Sequence, residues 1–130
     1  MEIEGLDEAK LRTVPDGECL YSMPNGIEIV RRRKHEPIDL SRSSPEEVER
    51  RTGKIMGSKF LLGTTLKRIV EMTVDVLSEN GAQIGDNTEY NTVYERTIGI
   101  SRGKPVRGFR VLRCCNGKLA HGFPEDEIRL

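Results

Sequence analysis

Tryptophan is absent from the 130 residues, and phenylalanine and tyrosine occur only three times each. The core of such a chain has to be aliphatic. Leu, Ile, Val and Phe supply 33 residues, about a quarter, above the rough one-fifth that marks disordered chains. Cysteine is equally scarce. Cys19, Cys114 and Cys115 are too few and too unevenly placed for a disulfide framework, so a reducing compartment, the cytoplasm, is expected. The most apolar stretch, 60–77, is interrupted by Lys67, Arg68, Glu71 and Asp75, which excludes a bilayer span. Glu2, Glu4, Asp7 and Glu8 crowd the first ten residues, the wrong sign for a secretory leader. Walker spacing, Gly-x-Gly-x-x-Gly, Cys-x-x-Cys and His-x-x-x-His are all missing, so no cofactor and no metal are expected. No repeat or linker divides the chain, which reads as a single domain over 1–130.

What is present is charge, balanced overall at 21 basic and 21 acidic residues but unevenly spread. Residues 96–118 hold Arg96, Arg102, Lys104, Arg107, Arg110, Arg113 and Lys118 with no acid among them. A second basic run, Arg31-Arg32-Arg33-Lys34, stands at a strand end, where alternation lets at most two of its side chains share a face.

Periodicity and turn chemistry predict an α+β fold: an antiparallel β-hairpin, one short and one long helix, and a C-terminal three-stranded meander. The hairpin covers 18–23 and 27–33, joined by the turn Met23-Pro24-Asn25-Gly26. Ser44-Pro45-Glu46-Glu47 is a capping box that opens the short helix, and Gly53 closes it. Leu62, Leu66, Ile69, Val70, Thr73 and Leu77 form one helical stripe, predicting a long helix from about Ser58 to Glu79 that stops at Asn80-Gly81. Its many β-branched residues leave a buried strand open for part of it. The segment Gly81 to Tyr90 reads as a flexible loop. The meander strands fall near 92–100, 106–115 and 118–123, with Asn116-Gly117 as a two-residue turn.

That turn sets a register. Leu112, Cys114, Leu119, His121 and Phe123 would share one face with Ile98, Ile100 and Val106, the expected core face. Arg107, Phe109, Val111 and Arg113 would lie on the other. A basic sheet face around an aromatic ring suits single-stranded RNA or DNA, where cations meet phosphates and a ring stacks on a base. The candidate contacts are therefore Arg107, Phe109 and Arg113, with Arg102 and Lys104 from the adjoining loop. The plainer reading is a polar solvent face, with Phe109 and Val111 covered by a second layer. Arg107-Gly108-Phe109 begins like the basic-glycine-aromatic core of the RNA-recognition-motif signature, but Arg110 and Val111 depart from it and membership is not inferred.

Other chemistry is thinner. Cys114 and His121 could share a face, but Cys115 points the other way, which argues against a metal. His35, near Glu36 and Asp39, could act as a base, as could His121, in a small enzyme acting on an anionic metabolite. No nucleophile can be placed beside either. The reading with most support from the residues is a non-enzymatic binding or accessory protein for a polyanion. A structural subunit with an acidic protein partner is the remaining class. The apolar helix makes a homodimer a fair expectation, and no membrane partner is expected.

Overall fold

A computed structural model describes residues 2–31, 58–86, 88–101, 104–114 and 118–125. They form an α+β fold with two helices: α1 (Glu8–Arg12), β1 (Cys19–Ser22), β2 (Glu28–Val30), β3 (Ser58–Phe60), α2 (Leu66–Glu79), β4 (Tyr90–Val93), β5 (Gly99–Ser101), β6 (Lys104–Val106), β7 (Gly108–Cys114) and β8 (Leu119–Pro124). Hydrogen-bonded strands run β1-β2-β8-β7-β4 in one sheet and β3-β5-β6 in another. The expected short helix after Ser44 and the Asn116-Gly117 turn lie outside the described residues.

The chain condenses into two compact units. The first comprises described residues 2–31, 65–86, 88–90, 111–114 and 118–122. Its main helix, α2, is nucleated by Thr65, whose hydroxyl accepts from the Arg68 amide at 3.0 Å. The first turn of α2 has no acid of its own. Glu8 supplies one from α1, its two carboxylate oxygens accepting from the amides of Leu66 at 3.1 Å and Lys67 at 2.8 Å. Two of the four open donors at the helix start are thereby satisfied by a negative charge where the helix dipole favours one. Further along, the buried Glu71 accepts from the amide of Ile3 at 2.8 Å, tying the N-terminal segment to the same helix. Nine of the fourteen residues of α2 are buried, so the helix is embedded rather than laid on a surface.

The stop expected at Asn80-Gly81 is built as a Schellman motif. The Gly81 amide bonds Ser78 O at 3.1 Å and the Ala82 amide bonds Leu77 O at 3.0 Å, with Gly81 at φ 63°. The start differs from expectation. Ser58–Phe60 is strand β3, and the helix begins only after Thr65. Antiparallel pairing with β5, Ser58 against Ser101 and Phe60 against Gly99, satisfies this backbone in a sheet and overrides the apolar run that reads as helix.

β1 and β2 pair antiparallel, with an irregularity between Cys19 and Tyr21. Their turn is closed by Gly26 N to Met23 O at 2.9 Å. On its other edge β2 pairs parallel with β8, Glu28 opposite Leu119 and Ile29 opposite Ala120. The sheet is therefore mixed: the strands near 92, 106–115 and 118–123 are neighbours in it, in the order β4-β7-β8, and β8 also pairs with β2. Ile27, Ile29, Val70, Leu77, Val111 and Ala120 are the buried heart of this unit.

The second unit holds described residues 58–64, 91–101, 104–110 and 123–125. The single strand predicted over 92–100 is broken into β4 and β5 by a bend at Glu95-Arg96. β5 pairs antiparallel with β6, Ser101 opposite Lys104 and Gly99 opposite Val106. Ile100, Phe109, Val106 and Phe60 are buried here. Gly99 is required by space, since a Cβ there would overlap Lys59 O and the Pro124 ring. The buried Ser101 hydroxyl donates to Glu125 at 2.8 Å, which satisfies it away from water.

Candidate functional site

β7 carries two of the five candidate contacts read from the sequence, Phe109 and Arg113, and the face that holds them is buried. Phe109 and Val111 are wholly buried, whereas Leu112, Leu119, His121 and Phe123 are half-buried. Alternation separates two sets of residues but does not say which faces inward. What packs on each face decides it, and the Phe109 face is the covered one. The Phe109 ring lies 6.3 Å from that of Phe60 and meets Tyr94 nearly edge-on at 6.5 Å. These are separations at which aromatic pairs attract. The ring is a core residue and offers no face for a base.

Arg113 is buried as well. It is 8% exposed, and Nη2 donates to the carbonyl of Gln83 at 2.9 Å. Its charge also acts on Asp86 and Tyr90. A guanidinium buried among such partners braces the structure.

The segment it braces is the one the sequence suggested was flexible. Asn25 donates to Ala82 O at 3.1 Å, and a Cβ on Gly26 would stand 2.7 Å from Ile84 Cδ1. Asp86 accepts from the Thr88 amide at 2.8 Å and from the Tyr90 hydroxyl in a short bond. Hydrogen bonds from Thr88 and Tyr90, with a smaller attraction from Arg113, hold the Asp86 carboxyl down at about 2. The bond to Asp86, then burial, push the Tyr90 phenol up. Both shifts run away from neutrality, opposite to the tuning of a general acid or base. The Asp86-x-Thr88 spacing is an Asx-turn signal that was legible in the sequence.

Lys104 and Arg107 are exposed, as is Arg96. The loop from Tyr94 to Ile98 is pinned at both ends to consecutive residues: Tyr94 N bonds Arg107 O at 3.0 Å, and Ile98 N bonds Val106 O at 3.0 Å. Arg96 is two residues from each pin. Its Cα therefore lies within about 12 Å of that of Arg107, given the reach of an extended chain and the separation of paired strands. Lys104 is three residues before Arg107 along the chain, about 10 Å when extended. Glu95 is the one exposed acid in this corner among the described residues. β6 is an edge strand of its sheet, and Pro105 at its centre has no N–H to donate. Arg102 lies outside the described residues, as do Arg32 to Lys34, His35 and Cys115.

Cys19 is exposed as a residue, but desolvation of its thiol, and then the nearby Glu28 carboxylate, push its pKa up, away from a reactive thiolate. Among the described residues no three His, Cys, Asp or Glu side chains gather as a metal site would require, and no helix is long and apolar enough to cross a membrane. No protein-family model matches the chain, and neither a curated protein nor a solved structure does.

Proposed function

We propose that this chain is a non-enzymatic binding protein for a polyanion, RNA or DNA first, and that its contact is the corner of the second unit formed by Arg96, Lys104 and Arg107. The observation that supports this reading is that Arg96, Lys104 and Arg107 are exposed, on segments joined by the backbone bonds of Tyr94 to Arg107 and of Ile98 to Val106. A cation on such a backbone gives up little chain entropy when it meets a phosphate. Arg102, two residues before Lys104 in sequence, adds a fourth charge to the same stretch. Phe109 and Arg113 are no part of the proposed contact.

The test is a fluorescence-anisotropy titration against mixed-sequence nucleic acid. Neutralising three phosphates predicts a slope of log K against log salt of about −2.7 on a duplex, an affinity loss of roughly 40-fold between 50 and 200 mM salt. Lys104→Glu with Arg107→Glu is expected to abolish binding while leaving the circular dichroism spectrum unchanged. Binding that survives both reversals in a folded protein would put the contact elsewhere.

A further inference from the structure

We infer that residues 2–14 are a strap on the first unit, opening from α2 as one piece while the rest of that unit stays folded. Two carboxylates fix its path. Glu8, in α1, accepts from the amides of Leu66 and Lys67 at the start of α2, and Glu71, in α2, accepts from the amide of Ile3 at 2.8 Å. The strap therefore runs along α2 in the opposite chain direction, from Glu8 at the first turn to Ile3 at Glu71. Leu66 to Glu71 is about 7.5 Å of helix rise, whereas the same number of residues extended would span about 17 Å. The turn at Glu4-Gly5, with Gly5 at φ 83°, takes up the slack. A third clasp holds the other end, where Arg31 Nη1 donates to the carbonyls of Arg12 at 2.9 Å and Val14 at 2.7 Å.

Little else attaches the strap. Ile3 and Leu11 are the buried residues between 2 and 14, and this segment gives no strand to either sheet. The five residues of α1 are too few for a helix to persist by itself in water. α1 is therefore formed only while docked, and Glu8 reaches both α2 amides only while α1 is formed. Losing one clasp loosens the others, which makes the strap one cooperative piece. α2 has nine buried residues of its own and keeps that packing when the strap leaves. A turn closed by Glu18 N to Pro15 O at 3.2 Å begins the body of the unit, so the hinge falls at Val14-Pro15. Opening returns the first amides of α2 and the Glu71 oxygen that Ile3 covers to water. The strap thus controls access to the N-terminal half of the helix.

The experiment is native-state hydrogen exchange on the full chain, followed by NMR in low concentrations of urea. The reporters are the amides of Ile3, Leu11, Leu66 and Lys67, and the references are Val74, Val76 and Leu77 inside α2. The reporters are expected to share one opening constant, at least about tenfold above that of the references, with less than about half their urea slope, because a strap exposes little surface. Glu71→Gln and Glu8→Gln should each raise that shared constant about tenfold, the size expected when an acceptor loses its charge, and should do so at amides whose own acceptor is unchanged. If the buried Glu71→Gln fails to fold, Glu8→Gln decides alone, through the exchange of Ile3. Reporters with the urea slope of the references would overturn the inference, since the segment would then leave only on global unfolding. A variant that frees only its own donors would overturn it too, since the clasps would then be separate.

Discussion

Truncating Phe109 to alanine separates a core role from a ligand role more sharply than any other single change. The side chain is 0% exposed and engages two rings, Phe60 at 6.3 Å and Tyr94 at 6.5 Å. A buried aromatic removes about 150–250 Å² from water, and at about 25 cal/mol per Å² that is about 4–6 kcal/mol. Part of this is recovered when the surroundings relax into the cavity, so a loss of about 3–5 kcal/mol is expected for Phe109→Ala. With a urea m-value near 2 kcal/mol per M, the unfolding midpoint should fall by about 2 M. The chain has no tryptophan, so far-UV circular dichroism is the signal to follow. Phe109→Leu keeps most of the volume and should cost no more than about 1.5 kcal/mol. The leucine variant should fold and bind nucleic acid within about twofold of wild type, because the ring meets protein and not ligand. A loss below about 1 kcal/mol for Phe109→Ala would show that the ring is not a packed core residue. A folded leucine variant with tenfold weaker binding would return the ring to the ligand site.

Two further changes test the neighbouring assignments. Arg113→Met keeps an apolar stem but removes the bond to Gln83 O; it should lower stability by about 1.5–3 kcal/mol and leave polyanion affinity unchanged, as measured by urea unfolding and anisotropy on the same sample. For Asp86 the folded pKa, about 2, lies below the usual carboxylate value near 3.9, so its contribution is present above pH 4 and is lost as pH falls through about 2. Tyr90→Phe removes one of the donors that hold it down, and an NMR titration of the Asp86 carboxyl should then show a higher pKa; an unmoved value would mean that the Tyr90 bond does not form in solution.

The parts of the fold that sequence exposes are those set by local chemistry. Asn80-Gly81 ends α2 because a glycine at positive φ lets the last carbonyls find donors, and Met23 to Gly26 turns for the same kind of reason. What escapes is set at long range. β3 reads as helix because it stands directly before the apolar stripe that begins at Leu62, and only pairing with β5, some forty residues later, makes it strand. The parallel contact of β2 with β8 spans about ninety residues and leaves no mark in either segment. The short α1 had a local signal, Asp7 accepting from Ala9 at 3.0 Å, but five residues make too little periodicity to register. The inward face of β7 belongs with the long-range cases. Period-two alternation is symmetric under exchange of the two faces, and what packs on one of them, Phe60 and Tyr94 against Phe109, breaks the symmetry.

The same distinction governs the site. Seven cations between 96 and 118 suggest a strongly basic surface, yet charge along a sequence is only an upper bound on charge available to a ligand. Arg113 is spent inside on Gln83 and Asp86, Arg110 is half-buried, and Lys118 stands 4.0 Å from the Glu28 carboxylate. Arg96, Lys104 and Arg107 are the exposed cations between 96 and 107 among the described residues. Counterion release turns that subtraction into a number. Seven engaged phosphates on a duplex would give a salt slope of about −6, and three give about −2.7. A measured slope near the larger figure would mean that the buried arginines emerge on binding and that the burial argument fails. A slope near the smaller one would tie the ligand to the corner that the fold leaves exposed.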